Sequence, residues 1–452
     1  MTLQAAGKED ADRAVKAARK SFDDGPWRHM SGSERAKVLR RLASLVEEHR
    51  DQLATLEAID NGKPRTIANG LDVGFTIQVF NYYAEWCDKI HGKTLPIDGP
   101  FIQYTRREPV GVAAQIIPWN FPIALASWKL GPALAAGCSV VLKPAEQTPL
   151  TALYLGDLAM QAGLPEGVLN ILTGYGEVTG EAIATHPLVD KVAFTGSTEV
   201  GKMIQGNAGL NNLKHVTLEL GGKSPNIIMN DVDMDMAIGQ SQFALFFNMG
   251  QACNAGSRTF VHESIYDEFV ERSAAAAKNS SLGDPLDEQT SQGPQIDKAQ
   301  ADRIMSYIEK GKSEGARLLA GGNRVDRKGF FVEQTVFADV KDDMTIARED
   351  IFGPVMSIMK FSSIPDVIKR ANDTNYGLAA AVCTNSLETA LHISNELRAG
   401  QVYVNCYGML QTTTPFGGFK DSGIGRELGP DALDNYLDTK TVIIKRPDDS
   451  LP

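Results

Sequence analysis

Apolar positions at the start of the chain recur at helical spacing. Between residues 9 and 22 one apolar face repeats, and the segment stops at Gly25-Pro26, which predicts an amphipathic helix. Residues 31–34 have the pattern of a capping box and open a second predicted helix, and a third is predicted to end at residues 61–64. The beginning of the chain is therefore expected to be mainly helical.

The pattern changes after residue 110, where short apolar runs rich in β-branched residues alternate with helical stretches. Such runs are typical of strands buried on both faces, so the sequence predicts a doubly wound, Rossmann-like α/β domain with a parallel sheet. A second series, from about residue 222 to 418, predicts a second α/β lobe. The predicted strands are 111–117, 139–142, 168–172, 191–194 and 215–219, and the helices between the first three are 123–136 and 149–161.

Composition and charge narrow the possible partners. The chain has 452 residues, of which 43% are hydrophobic and 22% charged, as in ordinary globular proteins. Its net charge of -11 leaves no excess of basic groups to neutralise a phosphate backbone or anionic lipid, so neither nucleic acid nor membrane is an expected partner. The longest uncharged apolar run, residues 130–142, is shorter than the ~18 residues that a membrane-spanning helix needs.

The cysteines indicate a reducing environment. All 5 are widely spread and none forms a Cys-x-x-Cys pair, which argues against both a disulfide framework and a zinc site, so no metal is predicted. Residues 1–10 are polar and show no secretory signal. The expected location is the cytoplasm or the mitochondrial matrix.

Three segments are candidates for binding a phosphate. The loop after the first predicted strand, residues 118–122, lacks the Gly-x-Gly-x-x-Gly pattern of dinucleotide-binding folds, and the glycines at 174, 176 and 180 are spaced one residue too widely. Residues 194–201 follow a strand and open a helix, where hydroxyls and free N–H groups favour an anion. The alternative for this last segment is an ordinary capped turn.

Lys143 and Glu146 follow the second predicted strand. A carboxylate at that position can accept hydrogen bonds from a ribose diol and would repel a 2′-phosphate, which favours NAD over NADP. A solvated loop is the alternative interpretation.

Cys253 and Glu219 are the candidate chemical groups. Cys253 is flanked by small and amide-bearing residues between two glycines, where backbone N–H dipoles are expected to favour a thiolate. Glu219 ends an apolar strand beside a Gly-Gly turn, and burial there is expected to raise its pKa toward that of a working general base. The remaining cysteines are expected to be inert core residues: Cys87, Cys138, Cys383 and Cys406.

Taken together, these motifs resemble the aldehyde dehydrogenase superfamily, in particular its NAD-dependent cytosolic and mitochondrial enzymes. The similarity extends from about residue 10 to 446. The motifs that carry it are Pro-Trp-Asn-Phe-Pro at 118–122, Lys-Pro-Ala-Glu at 143–146, Phe-Thr-Gly-Ser at 194–197, Leu-Glu-Leu-Gly-Gly at 218–222, Gly-Gln-Ala-Cys at 250–253, Phe-Gly-Pro at 352–354 and Pro-Phe-Gly-Gly at 415–418.

The resemblance implies a role for each catalytic candidate. Cys253 attacks the carbon of an aldehyde, and the side-chain amide of Asn120, with the N–H of Cys253, holds the oxyanion of the hemithioacetal. Glu219 activates the water that releases the acid from the thioester. Lys129 and Glu427 form a proton path that serves Glu219.

The resemblance also implies a bound NAD. Lys143 and Glu146 would clamp the adenosine ribose and Phe352 would form a wall beside the nicotinamide, whereas Asp350 stands where relatives have a longer glutamate. The implied cofactor-binding residues are Ile117, Pro118, Trp119, Lys143, Glu146, Gly176, Gly180, Phe194, Gly196, Ser197, Val200, Leu220, Gly221, Glu349, Asp350 and Phe352.

The resemblance also implies a substrate tunnel and a division of the chain into domains. Trp128, Leu410 and Phe416 would line the tunnel, and residues 409–412 replace bulkier aromatics of some acetaldehyde-preferring relatives, which predicts a wider mouth. The implied fold has an NAD-binding domain at 1–91 and 110–221, a catalytic domain at 222–421 and a small β oligomerisation arm at 92–109 and 436–446. A homotetramer, a dimer of dimers, is expected.

Two other functions are less well supported by the sequence than aldehyde oxidation. A non-catalytic abundant protein on this fold would usually have lost the nucleophile or the base, and Cys253 and Glu219 are both present. Acyl transfer to coenzyme A is disfavoured because relatives with that activity generally lack the glutamate at position 219. Esterase activity through Cys253 is compatible with the site as a side reaction.

Overall fold

The computed structural model describes residues 2–447; Met1, the first residue of the predicted NAD-binding domain, and residues 448–452 lie outside that range. The helices are α1 Lys8–Asp24, α2 Gly32–Glu48, α3 Arg50–Asn61, α4 Arg65–Ile67, α5 Gly74–Trp86, α6 Pro122–Ala136, α7 Leu150–Gln161, α8 Glu181–Thr185, α9 Thr198–Asn211, α10 Met234–Phe246, α11 Tyr266–Lys278, α12 Lys298–Ser313, α13 Thr345–Arg348, α14 Ile364–Asn372, α15 Leu387–Glu396 and α16 Asp431–Asp434. The strands are β1 Thr94–Leu95, β2 Phe101–Pro109, β3 Val112–Ile116, β4 Ser139–Lys143, β5 Leu169–Ile171, β6 Lys191–Thr195, β7 His215–Glu219, β8 Pro225–Ile228, β9 Arg258–His262, β10 Arg317–Ala320, β11 Thr335–Ala338, β12 Val355–Phe361, β13 Ala379–Cys383, β14 Gln401–Val404, β15 Gly423–Ile424 and β16 Leu437–Lys445.

The helical beginning of the chain is confirmed. The predicted capping box opens α2, where the Ser31 hydroxyl accepts a bond from the Glu34 N–H at 3.3 Å and the Glu34 carboxylate accepts one from the Ser31 N–H at 2.8 Å. Helix α3 ends at Gly62, which takes a left-handed φ of 91° that a glycine adopts without strain. In the range 2–447 no helix is long and apolar enough to cross a bilayer.

The first sheet has the strand order β15-β7-β6-β3-β4-β5, and its neighbours are parallel except for β15 and β7. Strands β3, β4 and β6 are buried along their whole length, as the continuous apolar runs predicted. One face packs against α1, α8 and α9, and the other against the helical layer of α2, α3, α5, α6 and α7. The doubly wound parallel sheet is thus confirmed.

The second sheet has the order β10-β11-β12-β9-β8-β13-β14, in which β10 alone runs antiparallel to its neighbour. Helices α10 and α11 cover one face, and α12, α14 and α15 cover the other. The link from β7 of the first sheet to β8 of the second is residues 220–224. The predicted pair of α/β lobes is therefore present, with a very short connection between them.

The two extended segments pair with each other in a third, antiparallel sheet. Strand β16 runs along the whole of β2, with Leu437 opposite Pro109 and Lys445 opposite Phe101. Just before β16, the buried Tyr436 hydroxyl accepts a hydrogen bond at 3.2 Å from the Gln115 side-chain amide, which also donates to the Lys129 carbonyl at 2.7 Å. The extended arm is connected in this way to β3 and α6.

Arg258 fixes the end of a helix inside the second lobe. Its buried guanidinium donates to the carbonyls of Lys223 at 3.0 Å, Arg370 at 3.1 Å and Ala371 at 2.7 Å, the last two in the final turn of α14. Burial lowers the pKa of Arg258 to about 10, which leaves it charged at neutral pH. One side chain thereby satisfies carbonyls that a helix end leaves without partners.

We expect the replacement Arg258→Met to lower the free energy of unfolding by about 3 kcal/mol, because it leaves buried carbonyls without donors. Urea unfolding of both proteins measures the difference. The matched control is Arg317→Met, whose guanidinium pairs with Asp339 at 2.7 Å on the surface and should change stability by less than about 1 kcal/mol. Equal effects of the two replacements would contradict this account of Arg258.

Candidate active site

A cavity of about 320 Å³ opens beside Cys253, of the size of a small-molecule site. Six residues predicted for the site line it: Asn120, Trp128, Glu219, Cys253, Leu410 and Phe416. Trp128 and Phe416 form part of its aromatic wall, and sequence reasoning missed the rest of that wall, which consists of Phe75, Phe121, Phe243, Phe247 and Tyr407. Phe121 lies inside the Pro-Trp-Asn-Phe-Pro motif, and that position was the signal for it.

The loop that carries Cys253, residues 247–257 between α10 and β9, is called the cysteine loop here. Three consecutive residues near its start have left-handed backbone conformations. Asn248 has φ 50°, Met249 φ 59° and Gly250 φ 73°, a conformation that is unfavourable for L-residues and that the surroundings must enforce. The Asn248 side-chain amide donates to the carbonyls of Gln251 at 3.0 Å and Asn120 at 3.1 Å. A Cβ on Gly250 would lie 2.2 Å from the Gly353 carbonyl oxygen, so the loop can pass there only with a glycine.

Glu219 is a buried carboxylate at the end of β7. It is 2% exposed, and the Cys253 thiol lies within hydrogen-bonding reach of its carboxylate. Burial and the nearby charge of Glu427 raise the pKa of Glu219, an effect that Lys129 opposes. The raised pKa expected from the sequence is therefore found.

Cys253 differs from the expectation of a stabilised thiolate. Burial, and after it the adjacent Glu219, raise the pKa of the Cys253 thiol well above its usual value, and the backbone at Asn254 lowers it by less. The neutral thiol is thus the resting form, because a thiolate beside a buried carboxylate would add a second negative charge. Of the four cysteines expected in the core, Cys406 is half-buried and the other three are buried.

Asn120 lies in the loop between β3 and α6, facing the cysteine loop. Its side-chain amide nitrogen donates to the Gln251 carbonyl at 3.0 Å, and the residue is 3% exposed. Since an amide nitrogen carries two N–H bonds, the second is free to donate into the cavity. This geometry suits the role of oxyanion donor that the sequence predicted.

Lys129 and Glu427 form a buried ion pair behind Glu219. Lys129 Nζ bonds Glu427 Oε1 and donates to the Thr195 hydroxyl at 2.7 Å. Thr195 is the β6 residue directly opposite Glu219 in the sheet, and both charges of the pair act on the pKa of Glu219. Thr195 was missed as part of this network, although it lies inside the Phe-Thr-Gly-Ser motif.

The predicted cofactor residues gather at the carboxyl ends of the first sheet. Lys143, at the end of β4, lies 3.3 Å from the exposed Glu146 carboxylate, and Gly180 sits next to the Lys143 side chain. The Ser197 hydroxyl caps α9 by accepting from the Val200 N–H at 3.3 Å. The neighbouring predicted positions are Ile117 and Pro118 after β3, Gly176 in the turn before α8, Phe194 and Gly196 at the end of β6, and Leu220 and Gly221 after β7.

A second cleft of about 450 Å³ lies between α9 and the segment around Asp350, and both predicted acids line it. Glu349 accepts a hydrogen bond from the Tyr307 hydroxyl at 2.7 Å, whereas Asp350 accepts one from the Phe352 N–H at 3.2 Å. Burial raises the pKa of Asp350 to about 6. A Cβ on Gly221 would lie 2.8 Å from the Asp350 carboxylate, so the glycine leaves room for it.

Trp119 of the first lobe and Phe352 of the second are in contact. Their rings meet edge to face, with centroids 5.3 Å apart. Phe352 takes a left-handed φ of 56°, which turns its ring toward Trp119. The structure thus brings the residues predicted as nucleophile, base and oxyanion donor into one cavity, with the predicted cofactor residues along an adjoining edge. This arrangement suits a nucleotide-dependent enzyme.

Comparison with known proteins gives the family. The sequence model of the Aldehyde dehydrogenase family matches residues 1–442, and the chain belongs to this family. It is 59% identical to the mitochondrial aldehyde dehydrogenase of Homo sapiens over 441 residues, covering 97% of this chain and 85% of that one. It is 55% identical to human retinal dehydrogenase 2, with 98% and 86% covered.

Solved structures show the same fold. The NAD⁺ complex of an aldehyde dehydrogenase from Bacillus cereus superposes with a TM-score of 0.96 at 51% identity, covering 98% of this chain and 90% of that chain. The predicted fold class, with its Rossmann-like domain, catalytic α/β domain and small β arm, is confirmed by this match and by the three sheets.

We expect Gly250→Ala to destabilise the protein by about 2 kcal/mol and to reduce activity severely, because the new Cβ meets the Gly353 carbonyl and the backbone keeps a left-handed φ. The control is Gly239→Ala in the exposed middle of α10, where a Cβ meets nothing within 4 Å. That change should stabilise the protein by about 0.5–1 kcal/mol and leave activity intact. Thermal unfolding and turnover of both variants test the contrast; tolerance of alanine at 250 would refute it.

Proposed function

We propose that this protein oxidises an aldehyde to the carboxylic acid with NAD as the hydride acceptor. The observation that carries the proposal is the meeting of Cys253, Glu219 and Asn120 in one mostly apolar cavity. The names of its relatives, which describe aldehyde dehydrogenases and an NAD⁺ complex, agree with that reaction.

The side chains account for the covalent steps. Glu219 accepts the thiol proton as Cys253 Sγ bonds to the aldehyde carbon, and the carbonyl oxygen becomes an oxyanion held by the Asn120 amide and the Cys253 N–H. NAD held by the residues described below would supply the hydride acceptor for that carbon. Once Glu219 has lost the thiol proton, it accepts a proton from water, whose oxygen attacks the thioester carbon. The carbon–sulfur bond then breaks to release the acid, and the Cys253 thiolate takes the proton from Glu219 to restore the thiol.

The raised pKa values of Cys253 and Glu219 fit the proposed roles of Cys253 as the nucleophile and Glu219 as the general base. A neutral thiol beside a carboxylate is ready for proton transfer at the moment of attack. Glu219 must lose the proton before it can activate water, and the Lys129–Glu427 pair, in contact with Thr195 beside it, provides the path. Two carboxylates therefore share one buried proton relay.

The residues present fit NAD. Glu146 can accept bonds from a ribose diol, and its charge disfavours a 2′-phosphate. At the start of α9 the Ser197 side chain caps the helix, and the helix N-terminus there suits a pyrophosphate. Ser197 and Trp119 would then contact the pyrophosphate, and Phe352 would form the wall beside the nicotinamide.

The cavity favours uncharged aldehydes larger than acetaldehyde. Its lining is mainly aromatic and aliphatic, and none of the described lining residues is basic, so a carboxylate-bearing aldehyde would meet no counter-ion. Met409 and Leu410 contribute to this lining, and the wider entrance expected from the sequence stays a prediction.

Assembly and location extend the proposal. The arm carries exposed Ile102, Ile443 and Ile444, apolar side chains that a second copy of the chain would cover in a homotetramer. A reducing compartment, the cytoplasm or the mitochondrial matrix, agrees with the free thiols. We assign the domain roles as the sequence predicted them, with residues 1–91 and 110–221 binding NAD and 222–421 carrying the nucleophile.

We expect Cys253→Ala to reduce aldehyde-dependent NADH formation by at least about 1,000-fold, because the bond-forming atom is lost. NAD affinity, followed by thermal shift, should stay unchanged. Cys87→Ala, which removes a buried thiol far from the cavity, is the control and should keep its activity. Retained oxidation in the Cys253 variant, or no NADH from the unchanged protein with a panel of uncharged aldehydes, would refute the proposal.

We expect Glu427→Gln to move the acid limb of the kcat–pH profile to lower pH. Glu427 raises the Glu219 pKa, so its neutralisation lowers that pKa, and the base stays ionised further into acid. Glu427→Asp keeps the charge and should keep the limb near its original position. A shift to higher pH in the glutamine variant would contradict the assignment of Glu219 as the titrating base.

A further inference from the structure

The end of α3 touches the loop that carries Asn120. This loop, residues 118–122, leads from β3 into α6 and bears Trp119, Asn120 and Phe121 on successive positions. Three buried residues from the end of α3 and the turn after it contact it: Glu57, Asn61 and Lys63. No role in the chemistry described above has been given to any of them.

Asn61 makes the most direct contact. Its side-chain nitrogen donates to the Trp119 carbonyl at 2.6 Å and to the Asn120 carbonyl at 3.3 Å, and the residue is 1% exposed. These carbonyls belong to the two peptide planes on either side of the Asn120 Cα. Because peptide units are planar, holding both of them fixes the direction in which the Asn120 side chain leaves the backbone.

Glu57 and Lys63 hold the rest of the loop. The Glu57 carboxylate accepts from the Ile123 N–H at 3.4 Å and from the Thr151 hydroxyl at 2.7 Å. Lys63 Nζ lies 4.2 Å from the centre of the Phe121 ring and donates to Asp72 at 2.6 Å. Positions 119, 120, 121 and 123 are therefore restrained from one side.

The other lobe restrains the same peptide. The Asn120 carbonyl also accepts from the Asn248 side-chain amide at 3.1 Å, and the Asn120 amide donates to the Gln251 carbonyl at 3.0 Å. The oxyanion donor is thus held between α3 and the cysteine loop. Without Asn61, the restraint on the Trp119 side of this peptide is lost.

We propose that Asn61 is a positioning residue that sets the direction of the Asn120 amide toward the oxyanion, an inference that rests on the proposed function. An oxyanion donor is effective only where it already points at the developing charge, and displacement by about 1 Å can cost about 100-fold in rate. Asn61 acts through the backbone of residues 119 and 120 and does not touch the substrate.

Asn170 offers a matched comparison elsewhere in the fold. Its side-chain nitrogen also donates to two backbone carbonyls, those of Gly167 at 2.8 Å and Val140 at 3.3 Å, but it does so on β5, outside the cavity. Asn170→Ala should therefore lower stability through the same kind of lost contact while leaving catalysis unchanged.

The test is a double-mutant cycle in the full-length protein. Asn61→Ala, Asn120→Ala, the double variant and Asn170→Ala are compared by kcat and KM for an aldehyde, by NAD affinity and by thermal unfolding. We expect Asn61→Ala to lower kcat by about 10- to 100-fold with NAD affinity unchanged, and to cause no further loss in the Asn120→Ala background. Asn61→Ser, which keeps a donor, should recover part of the loss.

Three results would overturn the inference. Equal fold-losses from Asn61→Ala in both backgrounds would show a general structural defect, as would a similar loss of kcat in Asn170→Ala. Unchanged activity in Asn120→Ala would show that Asn120 is not the oxyanion donor, and this inference would fail with that role. Such a result would therefore mark a failure of the proposed function, whereas equal losses in both backgrounds would mark a failure of the role of Asn61 alone. If Asn61→Ala does not fold, Asn61→Ser is carried through the same cycle, and additive losses would again decide against the proposal.

Discussion

The carbonyl oxygen of Cys253 lies so close to Gly222 that a Cβ there would stand 2.4 Å from it. Gly222 belongs to the link of residues 220–224, through which the chain leaves β7 in one sheet and enters β8 in the other. The same link begins directly after Glu219. The close backbone approach therefore places Glu219, the proposed base, beside Cys253, the proposed nucleophile, and the cavity and the Lys129–Glu427 ion pair lie around this contact.

This contact also sets the electrostatics. Burial and the charge of Glu427 raise the pKa of Glu219, and Glu219 in turn raises the pKa of the half-buried Cys253 thiol beside it. The thiol acts in the opposite direction on Glu219 and lowers its pKa, so between the two groups the proton rests on the sulfur. The ion pair of Lys129 and Glu427 sits behind the carboxylate and is the route that we propose for the proton. These four side chains form a small polar cluster in otherwise apolar surroundings. The protonation state of Glu219 depends on the charges of Lys129 and Glu427, and that of Cys253 depends on Glu219.

Much of this could be predicted from the sequence. Strands such as β3 and β4 are buried on both faces and therefore read as unbroken apolar runs, and the catalytic candidates lie in short contiguous motifs. Contacts between distant segments could not be predicted, since nothing in residues 57–63 indicates the loop that they restrain. The prediction of a thiolate at Cys253 was wrong, since burial and Glu219 raise the pKa of this thiol. The small residues and glycines around Cys253 in the sequence indicated nearby backbone N–H groups, whereas the sequence does not show that Glu219 lies next to the sulfur.

One amide side chain connects the arm to the catalytic layer. Gln115 donates both to the Lys129 carbonyl in α6 and to the Tyr436 hydroxyl at the root of β16. The arm and the helix that carries Lys129 are therefore held by the same side chain. In the proposed homotetramer, contact between subunits along β16 would bear on that helix, and quaternary structure would become part of the environment in which Glu219 titrates.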